Sequence, residues 1–382
     1  MTSARRLLQD QDRHGPLPAL RLDALLDAVS ESGLTGRGGG GFPTATKVRA
    51  VASRPRKPVV VGNGLEGEPL SSKDAVLLGH NPHLVLDGLD VVARALRARR
   101  AVLAVGADLD PGPVVEAARG RRIEVVTVEG GFVAGQESAL VNQLDGRPPV
   151  PSDPFTRVTE SGIAGRPTLV LNVETLAHLA LVVRHGAEWF RQVGTRDEPG
   201  TSLFTISGAV RRPGVVEVPR GTSIREVLAP AEPDPSSAVL VGGYHGAWVT
   251  DLDVPLTARG LKPFRAAVGA GVLHVLGAGV CPLVFAAEVV DYLAGESAAQ
   301  CGPCLNGLPH LAGLLHRLAS GDRDPALPAE TSRMARLVTG RGACAHPDGS
   351  ARFVASTLAV FAEHVGAHLQ GWCPSETRRA AS

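Results

Sequence analysis

Short apolar runs alternate with helix-like segments over the first half of the chain. The runs at residues 58–62, 101–105 and 123–128 are typical of buried strands. Helical periodicity predicts helices at residues 74–100, with a break at Asn81-Pro82, and at residues 113–119, 135–144 and 172–184. Strands that alternate with helices predict an α/β domain with a largely parallel sheet, which we expect to end near Gly194.

The pattern changes after Pro199. Strand-like runs at residues 202–207, 215–218, 238–241 and 272–276 surround one short helix at residues 222–228, capped by Thr222 or Ser223 with Glu226 following. From Pro282 onward helical patterns dominate, at residues 283–293, 305–318, 332–339 and 350–368, before a frayed tail at 374–382. These patterns predict three domains, at residues 1–195, 196–281 and 282–382.

Composition and charge narrow the class of protein. The chain has 382 residues, of which 44% are hydrophobic and 20% charged, so packed cores are expected and general disorder is excluded. Lys and Arg number 39 against 38 Asp and Glu, and this net charge of +1 gives no overall attraction to nucleic acid. With no run of 18 apolar residues and no apolar signal core at the N-terminus, we expect a cytoplasmic protein that is not embedded in a membrane.

The densest glycine run in the chain extends over residues 36–41 and is followed by Phe42-Pro43-Thr44. Consecutive glycines let backbone N–H groups approach an anion, and a helix that begins after them adds its positive end. Lys47 lies in that helix and can add a point charge to a phosphate. The spacing is neither that of a P-loop nor that of a dinucleotide fingerprint after a strand. The run therefore predicts a phosphate site, with a flexible linker as the alternative.

Two further loops and one helix start lie beyond predicted strands, where parallel sheets bind ligands. The loop at residues 62–69 carries Asn63 and Glu66, which can hydrogen bond a ring or a sugar; an ordinary polar loop is the alternative. The loop at residues 130–138 is glycine-rich and opens a helix, with a tight turn ahead of Glu137 as the alternative. Asn172 opens the last helix of the domain, where a simple N-cap role is the better interpretation.

The five cysteines all lie towards the C-terminal end, which favours metal ligation or redox chemistry over a disulfide framework. Cys301 and Cys304 form a C-x₂-C pair around glycine and proline, and Cys344 follows forty residues later. This spacing is typical of iron–sulfur ligation. Cys281 and Cys373 are candidates for a fourth ligand, although neither has a recognisable ligand spacing.

Three other interpretations of the thiols stay open on the spacing alone. One is a zinc site completed by His310 or His346, one is a redox dithiol, and one is a set of buried cysteines without a metal.

Taken together, these segments resemble the NADH- and FMN-binding flavoprotein subunit of respiratory complex I, the 51 kDa subunit, and the related diaphorase subunits of hydrogenases and formate dehydrogenases. The family patterns match in order at residues 36–47 (G-R-G-G-x-G-F-P-T-x-x-K), 63–70, 130–140, 167–177 and 296–304, with the last cluster ligand at Cys344. The middle region resembles the ubiquitin-like β-grasp (SLBB) module through residues 207–208 and 212–214. The resemblance covers nearly the whole chain.

The chain departs from the family pattern at several positions. Ala298 replaces the first cluster cysteine, and Leu65 replaces the aspartate of the second motif. Phe132 replaces the tyrosine of the third motif, and Gln136 replaces the first glutamate of its pair. Leu171 replaces the first asparagine of the fourth motif, and Ala50 replaces an aromatic residue that the family uses beside the nucleotide. A lysine of the family falls near Ser152, where this chain has none. The phosphate loop is intact, whereas the nucleotide platform and the cluster ligands are altered.

The resemblance implies a Rossmann-like FMN-binding α/β domain, then the SLBB domain, then a C-terminal helical bundle. It implies FMN, NAD(H) and an iron–sulfur cluster of the 4Fe-4S type as cofactors, and a redox partner subunit or a ferredoxin-like protein as partner. The implied cofactor-binding residues are Gly36, Arg37, Gly38, Gly39, Gly41, Lys47, Asn63, Glu66, Gly67, Phe132, Gly135, Gln136, Glu137, Asn172 and Thr175. Phe42 and Glu137 would serve the hydride step, and Cys301, Cys304 and Cys344 would bind the cluster.

These implications predict flavin-dependent electron transfer from NADH through a cluster to a partner. The altered positions leave two alternatives open: a non-catalytic flavin-binding or structural subunit of a redox complex, and a zinc-stabilised scaffold.

Overall fold

The computed structural model describes residues 6–9, 17–153, 155–235 and 238–375. Most of the predicted tail at 374–382 therefore lies outside the described residues, as does most of the N-terminal stretch that argued against a signal sequence. The chain divides into two compact units. The first runs up to Phe204 and includes Val215–Thr222, and the second comprises Thr205–Gly214 and the chain from Ser223 onward.

A four-stranded, entirely parallel sheet forms the centre of the first unit, in the order β3-β2-β1-β4. Its strands are β1 (Val59–Gly64), β2 (Arg100–Gly106), β3 (Glu124–Val128) and β4 (Thr168–Asn172). The helices of this unit are α1 (Leu22–Ser32), α2 (Thr44–Ala52), α3 (Lys73–His80), α4 (Pro82–Ala95), α5 (Gly112–Ala118), α6 (Glu137–Leu144) and α7 (Val173–Arg191).

Alternate side chains of the strands enter two different cores, as the period of a strand requires. Val60 and Leu169 join the larger core with α1, α4 and α7, whereas Val61 and Val170 join a smaller core with α6. Helices α4 and α7 approach each other closely at Gly88, where a β-carbon would lie 1.9 Å from the Leu176 carbonyl oxygen. Both faces of the sheet are thus covered.

A second, five-stranded sheet has the order β6-β5-β9-β7-β8. Its strands are β5 (Thr201–Gly208), β6 (Gly214–Pro219), β7 (Val239–Val241), β8 (Ala247–Val249) and β9 (Val272–Val275). The associated short helices are α8 (Ile224–Leu228) and α9 (Ala258–Leu261). Ser223 caps α8, and its hydroxyl and backbone exchange hydrogen bonds with Glu226 in a capping box.

The C-terminal part of the second unit is helical. It contains α10 (Pro282–Gly295), α11 (Leu308–Ala319), α12 (Leu327–Val338), α13 (His346–Val360) and α14 (Ala362–Leu369), and a π-helical turn (Pro303–Gly307) precedes α11. The single helix predicted at residues 350–368 is wrong, because the backbone leaves the helical region at Phe361 and separates α13 from α14.

The other predicted elements are confirmed, with ends that differ by up to seven residues, and the break at Asn81 between α3 and α4 is confirmed as well. Sequence reasoning missed α1, β4, β8 and the short helix α9. Strand β4 has only five residues and runs directly into α7, so its apolar pattern merges with that of the helix.

Candidate functional site

The topology of the first sheet creates a crevice between β1 and β4. The chain proceeds from β1 to β2 and β3 on one side and then returns to place β4 on the other side of β1. Asn63 and Asn172, near the carboxyl ends of these two strands, lie opposite each other in register. Ligands of open α/β sheets bind at such a switch point, so the crevice is the expected site.

The glycine loop at residues 36–41 lies against the start of α7. Its base is closed by a hydrogen bond from Gly36 N to Phe42 O (2.8 Å), and Arg37 N donates to Thr175 Oγ1 (2.9 Å). A β-carbon on Gly38 would lie 3.1 Å from that of Asn172, the N-cap of α7. The loop is therefore held next to a helix N-terminus, whose partial positive charge favours an anion.

The loop after β1 is joined to the loop after β3. Asn63 Nδ2 donates to Gly135 O (2.9 Å), and the same residue's Oδ1 accepts from Leu65 N (3.1 Å). At Gly67 a β-carbon would lie 2.8 Å from the carbonyl oxygens of Gly131 and Phe132, so only glycine allows this approach of the two backbones.

Glu66 faces the start of α3. Its carboxylate accepts from the Ser71 hydroxyl and from the backbone N–H groups of Asp74 (3.2 Å) and Ala75 (3.2 Å). Burial, with the charge of Asp74, raises the pKa of this carboxyl. In this structure Glu66 caps a helix, and a direct contact with a cofactor stays a prediction.

Lys47 and Glu137 form an ion pair at the edge of the crevice. Lys47 Nζ lies 3.0 Å from Glu137 Oε1 and donates to Val170 O (2.8 Å). Both side chains are partly exposed, at 21% and 34%. An ammonium has three donors, so one N–H remains for a ligand. Gln136, which precedes Glu137, accepts from Ser138 N and Ala139 N and caps α6.

Arg37 and Thr175 are both buried. The Arg37 guanidinium donates to Thr35 Oγ1 (2.9 Å) and Pro199 O (3.3 Å), and burial lowers its pKa to about 9. The two side chains hold the loop against α7, and direct cofactor contacts by them stay predictions.

Beneath the crevice lies a buried charge network that sequence reasoning missed. Lys73 Nζ contacts Asp74 Oδ1 (2.7 Å) and Glu174 Oε2 (2.9 Å), and Asn172 Nδ2 donates to Asp74 Oδ2 (2.6 Å). Glu174 Oε1 accepts from Leu203 N (3.0 Å). The network links α3, α7 and β5 and fixes the orientation of the Asn172 amide. The scarcity of lysine, four in the chain, was the available signal for Lys73.

The space around the glycines of the crevice shows whether there is room for FMN. A β-carbon at Gly40, Gly41 or Gly130 would meet no described protein atom within 4 Å, so these glycines border free volume instead of packed chain. Phe42 presents an aromatic ring beside it with 54% exposure. Glycine amides, a helix N-terminus, an ammonium and an exposed ring are the groups that a flavin phosphate and ring require. The residues present therefore fit FMN.

Cys301, Cys304 and Cys344 lie near enough to one another for their charges to interact. Burial raises the pKa of the Cys304 thiol to about 12, and the neighbouring charges of Cys301 and Cys344 add to the rise. Cys304 is buried, and the other two are partly exposed. Ala298 has no ligand atom, so this group offers three thiolates, one fewer than the four that a 4Fe-4S cluster usually takes, and ligation by these residues stays a prediction.

The histidines named as zinc alternatives have other partners. The two ring nitrogens of His346 lie 3.2 Å from His245 Nε2 and 2.8 Å from Leu293 O. His310 lies 3.9 Å from Glu330 at the surface. Cys281 and Cys373, the candidates for a fourth ligand, lie in a different group with His368.

No helix among the described residues is long and apolar enough to cross a membrane.

Three family models match the chain in succession. Residues 29–181 match the Nuo51 FMN-binding domain, residues 203–231 match the SLBB domain, and residues 284–368 match the iron–sulfur binding region of NADH-ubiquinone oxidoreductase-F. The architecture is thus a Rossmann-like parallel α/β fold, an SLBB domain and a helical C-terminal region.

Relatives match over most of the chain. The F subunit of the NADH-quinone oxidoreductase of Streptomyces coelicolor is 30% identical, with 95% of this chain and 87% of the relative covered. The HndC subunit of the NADP-reducing hydrogenase of Solidesulfovibrio fructosivorans is 30% identical, with 92% and 77% covered.

A solved structure, an NAD⁺-reducing [NiFe]-hydrogenase in the H₂-reduced state, matches with a TM-score of 0.84 and 31% identity over 92% of this chain. The chain spans 63% of that hydrogenase chain. These matches confirm the resemblance drawn from the motifs: the chain belongs to the family that comprises the F subunits of NADH-quinone oxidoreductases and the related hydrogenase subunits.

Proposed function

We propose that this protein is a flavin-dependent oxidoreductase that oxidises NADH with FMN and passes electrons through an iron–sulfur cluster to a partner protein. The observation that carries the proposal is the open crevice at the β1–β4 switch point. Three loops and one helix start converge there, and glycines border free volume. Membership in the family of NADH-quinone oxidoreductase F subunits supports the same function.

Different residues of the chain would bind the phosphate of FMN and its ribityl chain or ring. Backbone amides of the 36–41 loop and the start of α7 would bind the phosphate, with the remaining N–H of Lys47. Asn63 and Asn172 would contact the ribityl chain or ring, because they are register partners near the carboxyl ends of β1 and β4, where the crevice opens. FMN, when bound, supplies the conversion of a two-electron donor into one-electron transfers.

The nucleotide side of the site would be formed by Phe42 and Glu137. The exposed Phe42 ring offers a face on which a nicotinamide can stack, and Glu137 can accept hydrogen bonds from its amide or ribose. Hydride transfer requires no general acid from the chain, so these residues act by orientation. Ala50 and Ser152 stand where the family has an aromatic residue and a lysine, which weakens the platform for NADH.

Electron exit would use the Cys301, Cys304 and Cys344 group in the second unit. The relatives are named as subunits of an NADH-quinone oxidoreductase and of a hydrogenase, which supports a redox partner for this chain as well. A partner subunit or a ferredoxin-like protein has the required chemistry.

Anaerobic purification followed by reduction tests this function. We expect flavin, iron and sulfide in the isolated protein, and bleaching of the flavin absorbance when NADH is mixed in a stopped-flow instrument. In Phe42→Ala we expect slower bleaching at an unchanged flavin content.

Two results would contradict the proposal. Flavin that is reduced by dithionite but by neither NADH nor NADPH would identify a non-catalytic flavin-binding protein. Protein without flavin, even after incubation with FMN, would identify a scaffold.

A further inference from the structure

A second cluster of potential metal ligands lies outside the residues that match the family's cofactor motifs. Cys281 Sγ, Cys373 Sγ and a ring nitrogen of His368 all lie within 4.8 Å of one another. The three residues come from three places in the chain: the residue before α10, the end of α14 and the segment after α14. Neither the flavin site nor the predicted iron–sulfur ligands include them.

His368 is held in the tautomer that a metal requires. The side chain is buried, with 4% of the residue exposed, and its Nδ1 lies 3.0 Å from Leu318 O. A carbonyl oxygen only accepts, so Nδ1 carries the proton and donates it. Nε2 therefore presents its lone pair to Cys281 Sγ, 3.4 Å away. A backbone carbonyl that fixes the second ring nitrogen is the usual outer contact of a metal-bound histidine.

The thiols of Cys281 and Cys373 lie close together and can both be deprotonated by a metal ion. Cys281 is the N-cap of α10, where the N–H groups of Leu283 and Val284 favour its thiolate, although burial has the larger effect and raises the pKa of the thiol to about 11. The sulfur atoms of Cys281 and Cys373 lie within 4.8 Å of each other. Both residues are partly exposed, so solvent reaches the group.

The spacing matches a tetrahedral zinc ion. Zn–S and Zn–N bonds of about 2.3 and 2.0–2.1 Å at tetrahedral angles require sulfur and nitrogen to lie about 3.6 Å apart. The observed Cys281 Sγ to His368 Nε2 distance is 3.4 Å. We propose that Cys281, His368 and Cys373 bind one Zn²⁺, with a solvent molecule as the fourth ligand. Binding displaces the two thiol protons, and no electron is transferred.

This site is separate from the predicted cluster ligands. Cys281 precedes the first residue of α10, whereas Cys301 follows its last residue. A helix of fourteen residues is roughly 20 Å long. Leu318, which contacts His368, is likewise at the far end of α11 from Cys304. A zinc ion here would tie the start of α10 to the end of α14 and to the chain beyond it.

Metal analysis of the full-length protein tests the proposal. We expect about one zinc per chain in wild type, purified without chelator or reconstituted with Zn²⁺ alone. Cys281→Ser, Cys373→Ser and His368→Asn should each weaken zinc binding at least about tenfold in a chelator competition, with iron content unchanged. Two controls should keep their zinc: Cys344→Ser, which alters the other thiol group, and His310→Asn, at the surface beside Glu330.

A measurement on the wild-type protein tests the proposal even if a variant fails to fold. Removal of zinc by a chelator should expose Cys281 and Cys373 to alkylation, as mapped by mass spectrometry. The proposal is overturned if reconstituted wild type binds no zinc or if the cysteine variants keep wild-type affinity. It is also overturned if His310→Asn loses the metal, or if anaerobically purified protein contains a Cys281–Cys373 disulfide.

Discussion

At the scale of single residues, the flavin site depends on charges that already have protein partners. Lys47 is held by Glu137 and by the carbonyl of Val170, which orients the ammonium before any ligand arrives. Such a preoriented cation loses little side-chain entropy when it binds a phosphate.

Lys47→Ala should therefore weaken FMN binding by at least about 1 kcal/mol, the scale of a hydrogen bond to a charged group. Fluorescence titration of flavin-depleted protein measures this change. Lys57→Ala, at an exposed position outside the crevice, is the control and should bind FMN as wild type does. Equal FMN affinities of Lys47→Ala and Lys57→Ala would show that Lys47 does not bind FMN.

Lys73 differs from Lys47 because it is fully enclosed. Its interactions with Asp74 and Glu174 outweigh its burial and raise the pKa of the ammonium. Lys73→Met would leave two carboxylates buried without their cation, which costs about 3–5 kcal/mol. Urea unfolding measures the loss, and Lys262→Met at an exposed position should leave the unfolding free energy close to wild type. A loss below about 1 kcal/mol would mean that the network relaxes or admits water.

At the scale of elements, the crevice is formed by helix starts and glycine loops. Some of its glycines pack tightly against neighbouring backbone, and others border open space. Gly67 packs against the backbone at Gly131, whereas Gly40 borders open space. The same residue type thus permits a close backbone contact at one position and leaves room for a ligand at another.

Gly40→Ala should retain the stability of wild type and lose flavin affinity by about tenfold or more, because the added methyl group meets no protein atom but enters the cradle. Gly88→Ala should do the reverse and destabilise the fold, since its β-carbon would overlap the Leu176 carbonyl. Thermal unfolding and flavin titration separate the two effects. Full flavin affinity in Gly40→Ala would place the phosphate elsewhere.

At the scale of the whole molecule, stability should depend on pH through a buried neutral histidine. Burial, together with the positive charges of Arg37 and Arg6, holds the pKa of His178 well below its usual value. The unfolded chain binds a proton near pH 6.5 and the folded chain does not, so the stability that is present above pH 6.5 falls as the pH drops below it.

The expected slope from His178 is about 1.4 kcal/mol per pH unit below pH 6.5. His178→Leu should remove this part of the slope in urea unfolding curves between about pH 5 and 7, whatever its effect on the absolute stability. His310→Leu, at the surface, should leave the slope as in wild type. An unchanged slope in His178→Leu would mean that the ring is already protonated in the folded protein.

The iron–sulfur region is also a property of the whole molecule, because the chain keeps the family's cluster-binding region but has Ala298 in place of one cysteine ligand. Ala298→Cys should raise the iron retained per chain and lower the cluster's reduction potential, since a fourth thiolate adds negative charge. Iron analysis and electron paramagnetic resonance of the dithionite-reduced protein provide the measurements, with Cys304→Ser as the negative control. No iron in either wild type or Ala298→Cys would exclude a cluster.

The sequence by itself determined the elements whose signals are local. The alternation of strands and helices, the Asn172 cap, the Ser223–Glu226 capping box and the glycine loops all follow from patterns within a few residues. The motifs also identified the family, because their order and spacing extend over nearly the whole chain. These features need no knowledge of which distant segments meet.

Tertiary structure alone decided the contacts between distant segments. β4 pairs with β1 although about a hundred residues separate them in the chain, and that pairing makes the crevice. Helix packing likewise decides three other contacts. It turns the Arg37 side chain inward, it buries Lys73 beside Glu174, and it brings Cys281 close to His368 and Cys373. Spacing along a chain does not specify such meetings, because the side-chain directions are set only when the hydrophobic faces of the elements come together.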